Sequence, residues 1–122
     1  MSEAPEKIMF VFKNPPHGNI HAYEGLEFVL ITAAYEQDIT LVFIGDGILA
    51  LKKDQDTQEL GIKGFMKTWR TLDDYEVEKL YVDKKSMEER GLTPDDLIVP
   101  VEVKEANDIS GIMKEQHVIY PF

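Results

Sequence analysis

The run Ile39-Thr40-Leu41-Val42-Phe43-Ile44 constrains this chain more than any other stretch. A strand with one wet face alternates apolar and polar residues. This run does not, so the strand it predicts is covered on both faces, as in a parallel sheet flanked by helices. Upstream, Ile8-Met9-Phe10-Val11-Phe12 reads the same way. Pro15 and Pro16 stop it, because proline cannot donate to a ladder. Between the two strands a helix is expected from Ile20 to about Glu36, with Asn19 as its N-cap. The outcome is a βαβ unit from Ile8 to Gly47.

Further along, a short helical turn is expected at Ile48 to Lys53 and a second helix from about Ile62 to Leu72, carrying Phe65, Met66 and Trp69. A third strand is expected at Glu76 to Val82. Ser86-Met87-Glu88-Glu89 has the form of a capping box opening a short helix that stops at Gly91. Thr93-Pro94-Asp95-Asp96 repeats that form with proline at the first helical position. Leu97 to Val103 reads as a fourth strand, with Pro100 favouring an edge or a bulge. An acidic helix from Lys104 to Lys114 and a last strand in His117 to Phe122 complete a βαβαβαβαβ order. Such alternation predicts an α/β three-layer domain with a mostly parallel sheet. With 122 residues there is room for one core, so residues 1–122 are expected to form a single domain, 1–6 being a loose end.

Placed at about 100° per residue, Ala22, Tyr23, Leu26, Val29, Leu30, Ala33 and Ala34 form the arc of the first helix that lies on the sheet. Phe28, Ile31 and Tyr35 fall on the other side. Either another segment of the chain covers them or they form a subunit interface, the usual meaning of clustered large apolar groups on an outer face.

Charge and composition remove several functions. With 23 acidic and 13 basic residues the net charge is −10, a field that repels phosphate backbones, so nucleic acid is not an expected partner. Tyr75, Tyr81 and Trp69 have no basic patch beside them and read as core or interface. No apolar run is long enough to span a bilayer and no leader is visible, so no membrane association is expected and the compartment expected is the cytoplasm. There is no cysteine, which removes disulfides, thiolate metal sites and any use of a protein thiol.

In a parallel sheet, ligands bind beyond the carboxyl ends of the strands. The loops to inspect are Lys13 to Asn19 with His17 and Gly18, Gly45 to Gly47 with Asp46, and Asp83 to Ser86. The first lacks both the GxGxxG spacing and the GK[ST] ending of phosphate-binding loops. His17 and His21 are four apart, but no HExxH pattern accompanies them, and ordinary polar roles fit all three histidines better than a metal site. Asp46 between two glycines suits a turn residue and leaves a ribose or metal role open. Ser86 is explained as a helix cap. No catalytic machinery, cofactor or metal is expected from these residues.

Two long stretches add a resemblance. Residues 10–51, FVFKNPPHGNIHAYEGLEFVLITAAYEQDITLVFIGDGILAL, and residues 69–97, WRTLDDYEVEKLYVDKKSMEERGLTPDDL, closely resemble the DsrF/TusC family of intracellular sulfur-oxidation and sulfur-relay proteins. The marks are the PHG loop after the first strand, the helix entering EGLE, the strand ending in DG, and the strand-loop-helix ending in ERGL. The resemblance covers nearly the whole chain and lies on the DsrF side of the family.

That resemblance implies a flavodoxin-like three-layer αβα domain with a mostly parallel five-stranded sheet. It also implies a cytoplasmic hexamer with two copies each of DsrE/TusD-like, DsrF/TusC-like and DsrH/TusB-like subunits, passing persulfide sulfur to a DsrC/TusE-like carrier. The position matching the family's reactive cysteine, counted back from Gly91, is Asp83. A carboxylate cannot attack a persulfide and hold its sulfane sulfur, so the chain is expected to be a non-catalytic subunit. Asp83 then either caps the following turn or takes part in docking, and Phe28, Ile31 and Tyr35 become candidate contacts with homologous subunits. The alternatives are a small-ligand-binding flavodoxin-like protein using the Asp46 loop, and a standalone homo-oligomer without sulfur transfer.

Overall fold

Strands β1 (Lys7–Phe12) and β2 (Asp38–Phe43) lie side by side in parallel, Lys7 opposite Asp38 and Phe12 opposite Phe43. Both are buried from their second residue onward, as their unbroken apolar sequences require. The computed structural model describes residues 6–13, 21–35, 37–51, 74, 77, 79–97 and 100–122. The expected helix at 62–72, the Asn19 cap, His17 and Gly18 lie outside those residues.

Three more strands complete the sheet: β3 (Lys79–Asp83), β4 (Glu102–Lys104) and β5 (Val118–Pro121). Their order is β4-β3-β2-β1-β5, and every pairing is parallel. The expected α/β architecture is present, with a sheet that is parallel throughout rather than mostly. The fourth strand is shorter than the Leu97–Val103 expectation and shifted toward its C-terminal end. It lies at the sheet edge, where a preceding exposed Pro100 is tolerated.

The connections step from β1 toward β4 and then return to β5 on the far side of β1. Right-handed crossovers therefore put the returning helix on the opposite face from the others. Helix α1 (His21–Ala33), the 3-10 turn Gly45–Leu51 and helix α2 (Lys84–Glu89) share one face. There Val29, Ala33, Ile48, Leu51 and Met87 pack on Ile8, Phe10, Phe12, Leu41, Phe43 and Val82. Helix α3 (Ala106–Lys114) covers the other, where Ile109 packs on Met9, Val11 and Val42. Its apolar residues Ile109, Ile112 and Met113 follow helical spacing, so they share one stripe.

Helix α1 departs from its projected arc in two respects. Ala34 lies past the end of the helix, in the following turn, and is exposed; Thr32 is buried, its hydroxyl donating to the Phe28 carbonyl at 2.8 Å. Gly25 accounts for the rotation: a Cβ there would stand 2.7 Å from the Phe122 ring and 2.9 Å from Phe12, so this side of the helix sits flush on aromatic rings. Phe28 consequently lies on the flank of the helix rather than opposite the sheet. Its ring meets Tyr120 at 5.0 Å and Phe10 at 5.8 Å while remaining 43% exposed. Ile31 and Tyr35 are more open, at 63% and 72%.

Candidate functional site

At the carboxyl ends of β2 and β3 the chain turns twice, and each turn has a local cause. After β2, Gly45 adopts a left-handed conformation (φ +57°) that costs glycine little. Gly47 passes so close to β1 that a Cβ would lie 1.9 Å from the Phe12 carbonyl oxygen. Only glycine fits there, and Asp46 between them is exposed. After β3, Asp83 ends the strand in an extended conformation (φ −68°, ψ 121°) and becomes the N-cap of α2. Its Oδ2 accepts the Ser86 N–H at 3.1 Å and the Ser86 hydroxyl at 2.6 Å.

This corrects the capping assignment. Ser86 does not open the helix; it is buried in the first turn of α2, and Asp83 is the cap. The S-x-x-E pattern at 86–89 is real, but D-x-x-S at 83–86 satisfies the same geometry one turn earlier, directly at the strand end, and a carboxylate accepts two bonds there. The other end of α2 behaves as expected. Gly91 (φ +65°) donates to the Glu88 carbonyl at 3.0 Å and Leu92 to Met87 at 3.1 Å, a Schellman pattern, and Leu92 and Met87 are both buried. The Thr93–Asp96 box also forms, with the Asp96 carboxylate accepting the Thr93 N–H at 2.8 Å.

The two turns are fastened to each other. Ser86 Oγ accepts the Gly45 N–H at 2.9 Å. Arg90, at the end of α2, donates from Nη2 to Asp46 Oδ1 at 2.8 Å and from Nε to the same oxygen at 3.2 Å, while its Nη1 reaches the Ser86 carbonyl at 2.9 Å. Asp83, Ser86, Gly45, Asp46 and Arg90 thus form one connected polar cluster. Asp46 serves as a turn residue with an ion-pair partner. Arg90 was not singled out in the sequence, because its partner lies 44 residues away; the bridging role of Ser86 was also missed, although D-x-x-S spacing offered the signal.

Beside this cluster, Lys84 and Glu105 pair at 3.2 Å across an open trough of about 390 Å³ lined also by Lys85, Glu88 and Glu89. Glu105, by hydrogen bond and by charge, raises the Lys84 ammonium above the ordinary lysine value. The lining mixes both signs and favours neither an anion nor a cation. His117 has a plain polar role, its Nδ1 accepting the Lys7 N–H at 2.8 Å. Among the described residues no group of three histidine, aspartate or glutamate side chains gathers as a metal site. None of the described helices is long and apolar enough to cross a membrane.

Comparison with known proteins places this geometry in context. The chain is 41% identical to the intracellular sulfur oxidation protein DsrF of Allochromatium vinosum, with all of both chains covered. TusC homologues of Vibrio vulnificus and Aliivibrio fischeri are 31% and 32% identical, with 95% of this chain and 98% of theirs covered. Among solved structures, the ychN protein of E. coli superposes with a TM-score of 0.83 at 19% identity, covering 96% of this chain and 99% of the other, which is a likeness of fold. The model of the DsrE/DsrF-like family matches residues 6–121, and the chain belongs to that family.

Proposed function

We propose that this chain is the non-catalytic docking subunit of a cytoplasmic sulfur-transfer assembly of the DsrEFH type, serving intracellular sulfur oxidation. The assembly is a heterohexamer with DsrE/TusD-like and DsrH/TusB-like subunits, and it delivers persulfide sulfur to a DsrC/TusE-like carrier. The names of the relatives support the pathway, that of the DsrF protein above all.

One observation carries the subunit's role: where sulfur transfer needs a thiol, the chain presents Asp83, and that carboxylate is occupied in capping α2 and holding Ser86. Sulfur relay requires a thiolate that attacks a sulfane sulfur and keeps it as a persulfide, and this chain contains no cysteine. The reactive position then belongs to a homologous subunit. Phe28, Ile31 and Tyr35 supply this subunit's contact surface, which large apolar side chains on an exposed helix flank suit. The engagement of Asp46 by Arg90 supports this reading over small-ligand binding at the same loop.

The test is to co-express the chain with DsrE- and DsrH-like subunits, load the purified assembly with a persulfide donor and locate added sulfur by intact mass spectrometry. The expected result is co-purification at fixed stoichiometry, with sulfur on the DsrE-like partner alone. A labile sulfur adduct on this chain overturns the non-catalytic role. Charged substitutions at Phe28, Ile31 and Tyr35 together are expected to disperse the hexamer in size-exclusion chromatography.

A further inference from the structure

The exposed apolar groups of α1 form one narrow stripe. Phe28 and Ile31 stand on the helix, and Tyr35 follows in the turn that leaves it, its N–H donating to the Thr32 carbonyl at 3.0 Å. Spaced three and four residues apart, the three side chains lie one above another along roughly 10 Å of surface. The stripe is too small to be a contact by itself. A stable interface takes about 800 Å² from each partner, so whatever seats on these three side chains also meets the rims of the stripe.

The two rims differ in charge. Toward β5, Phe28 leans on Tyr120, and the segment from His117 to Phe122 contains no acid although the chain carries a net −10. On the rim away from β5, one turn before Ile31, Glu27 is exposed. The four ion pairs among the described residues do not include it. Nor does its own segment offer a cation: from Ile20 to Gln37 the sequence holds Glu24, Glu27 and Glu36 and neither lysine nor arginine.

We propose that the stripe seats a helix of a partner subunit whose own apolar stripe is bordered by lysine or arginine, and that Glu27 selects this partner over a second copy of the chain. A straight apolar ridge two turns long suits a helix laid along it. A basic border pairs Glu27, which otherwise stands as an uncompensated charge at the edge of the contact. A second copy has no such border to offer, because its α1 brings glutamates alone and each molecule carries −10. Selection then comes from repulsion of the wrong partner as much as from attraction of the right one. The proposal rests on the docking-subunit reading and adds to it the partner's surface chemistry and the residue that reads it.

The test measures how firmly the chain holds co-expressed DsrE- and DsrH-like subunits as salt is raised. At low salt Glu27→Lys is expected to weaken the wild-type affinity about three- to tenfold, the loss of one rim pair plus a repulsion of similar size, and Glu27→Gln to weaken it less. At about 1 M salt, where the Debye length falls to about 3 Å, the three proteins are expected to converge. Their circular dichroism is expected to be the same, since Glu27 is exposed. The chain has no cysteine of its own, so Ile31→Cys reports self-contact through the stripe; in the chain alone it is expected to form no disulfide-linked pair under mild oxidation. An assembly that forms with the wild-type chain and holds Glu27→Lys as firmly overturns the proposal and leaves the subunit reading in place. So does a loss that persists unchanged at high salt, or ready dimerisation of Ile31→Cys. Absence of any assembly with the wild-type chain overturns both.

Discussion

On the α1 face of the sheet, Phe10, Phe12 and Phe43 are fully buried, and rings stack on both sides of β1: Phe12 on Phe43 at 5.2 Å and Phe10 on Tyr120 at 5.5 Å. On the α3 face, Met9, Val11 and Val42 meet one nine-residue helix of which only Ile109 is buried. Gln116 Oε1 is also buried there with no hydrogen-bond partner among the described residues. The contrast follows from topology. Three connections stepping in one direction place α1, the 3-10 turn and α2 on the first face, and a single return crossover is left for the second. Among the described residues, one face holds the larger core and the other is covered by a single helix.

The largest expected effect tests that division directly. Phe10→Ala removes a ring in contact with Phe28, Tyr120 and Phe122 and is expected to cost about 3–5 kcal/mol. Ile109→Ala on the opposite face should cost about 2 kcal/mol, the low end for such truncations, because a helix packed on one side only can settle into the gap. Urea unfolding of both variants measures the pair, and equal losses would break the contrast between the two faces.

A smaller effect is expected at the strand ends. Asp83→Ala removes the α2 cap and strands the Ser86 hydroxyl, for about 1 kcal/mol, while Asp83→Asn, still an acceptor, retains most of it. Thermal midpoints decide between them; an Asn variant as weak as the Ala variant would mean that the charge, not the cap, matters there.

The smallest effect concerns Lys84. Glu105 raises its pKa, so the pairing favours the folded state at pH below the ordinary lysine value and is lost as pH rises through the raised one. Both side chains are exposed, at 51% and 65%, and such pairs contribute little. Lys84→Gln is expected to leave the unfolding midpoint unchanged at neutral and alkaline pH alike.

How much of this could be read from residues alone depended on the range of the interaction. β1 and β2 announce themselves because each consists of contiguous apolar residues, and α2 ends where Gly91 says it must. Phe28, Ile31 and Tyr35 were separable from the buried arc by helical periodicity. The rotation of α1 that brings Phe28 against Tyr120 was not, since it depends on Gly25 meeting Phe122 nearly a hundred residues on. The same limit hid the pairing of Arg90 with Asp46; β3 runs Lys79–Asp83, one residue past its expected end at Val82, while its expected start at Glu76 lies outside the described residues. At Asp83 the difficulty was ambiguity instead, because two capping patterns overlap within seven residues, and only the strand end selects between them.

The pairing of β1 with β5 has a consequence for how the chain reaches its fold. His117 bonds to Lys7 across 110 positions, so one side of the first strand made stays unpaired until the last strand, β5, arrives. Until then the nascent protein presents Ile8 through Phe12 as an open apolar edge, the kind of surface on which chains aggregate. Contacts so distant in sequence close slowly. A net charge of −10 opposes the association of such waiting chains through mutual repulsion.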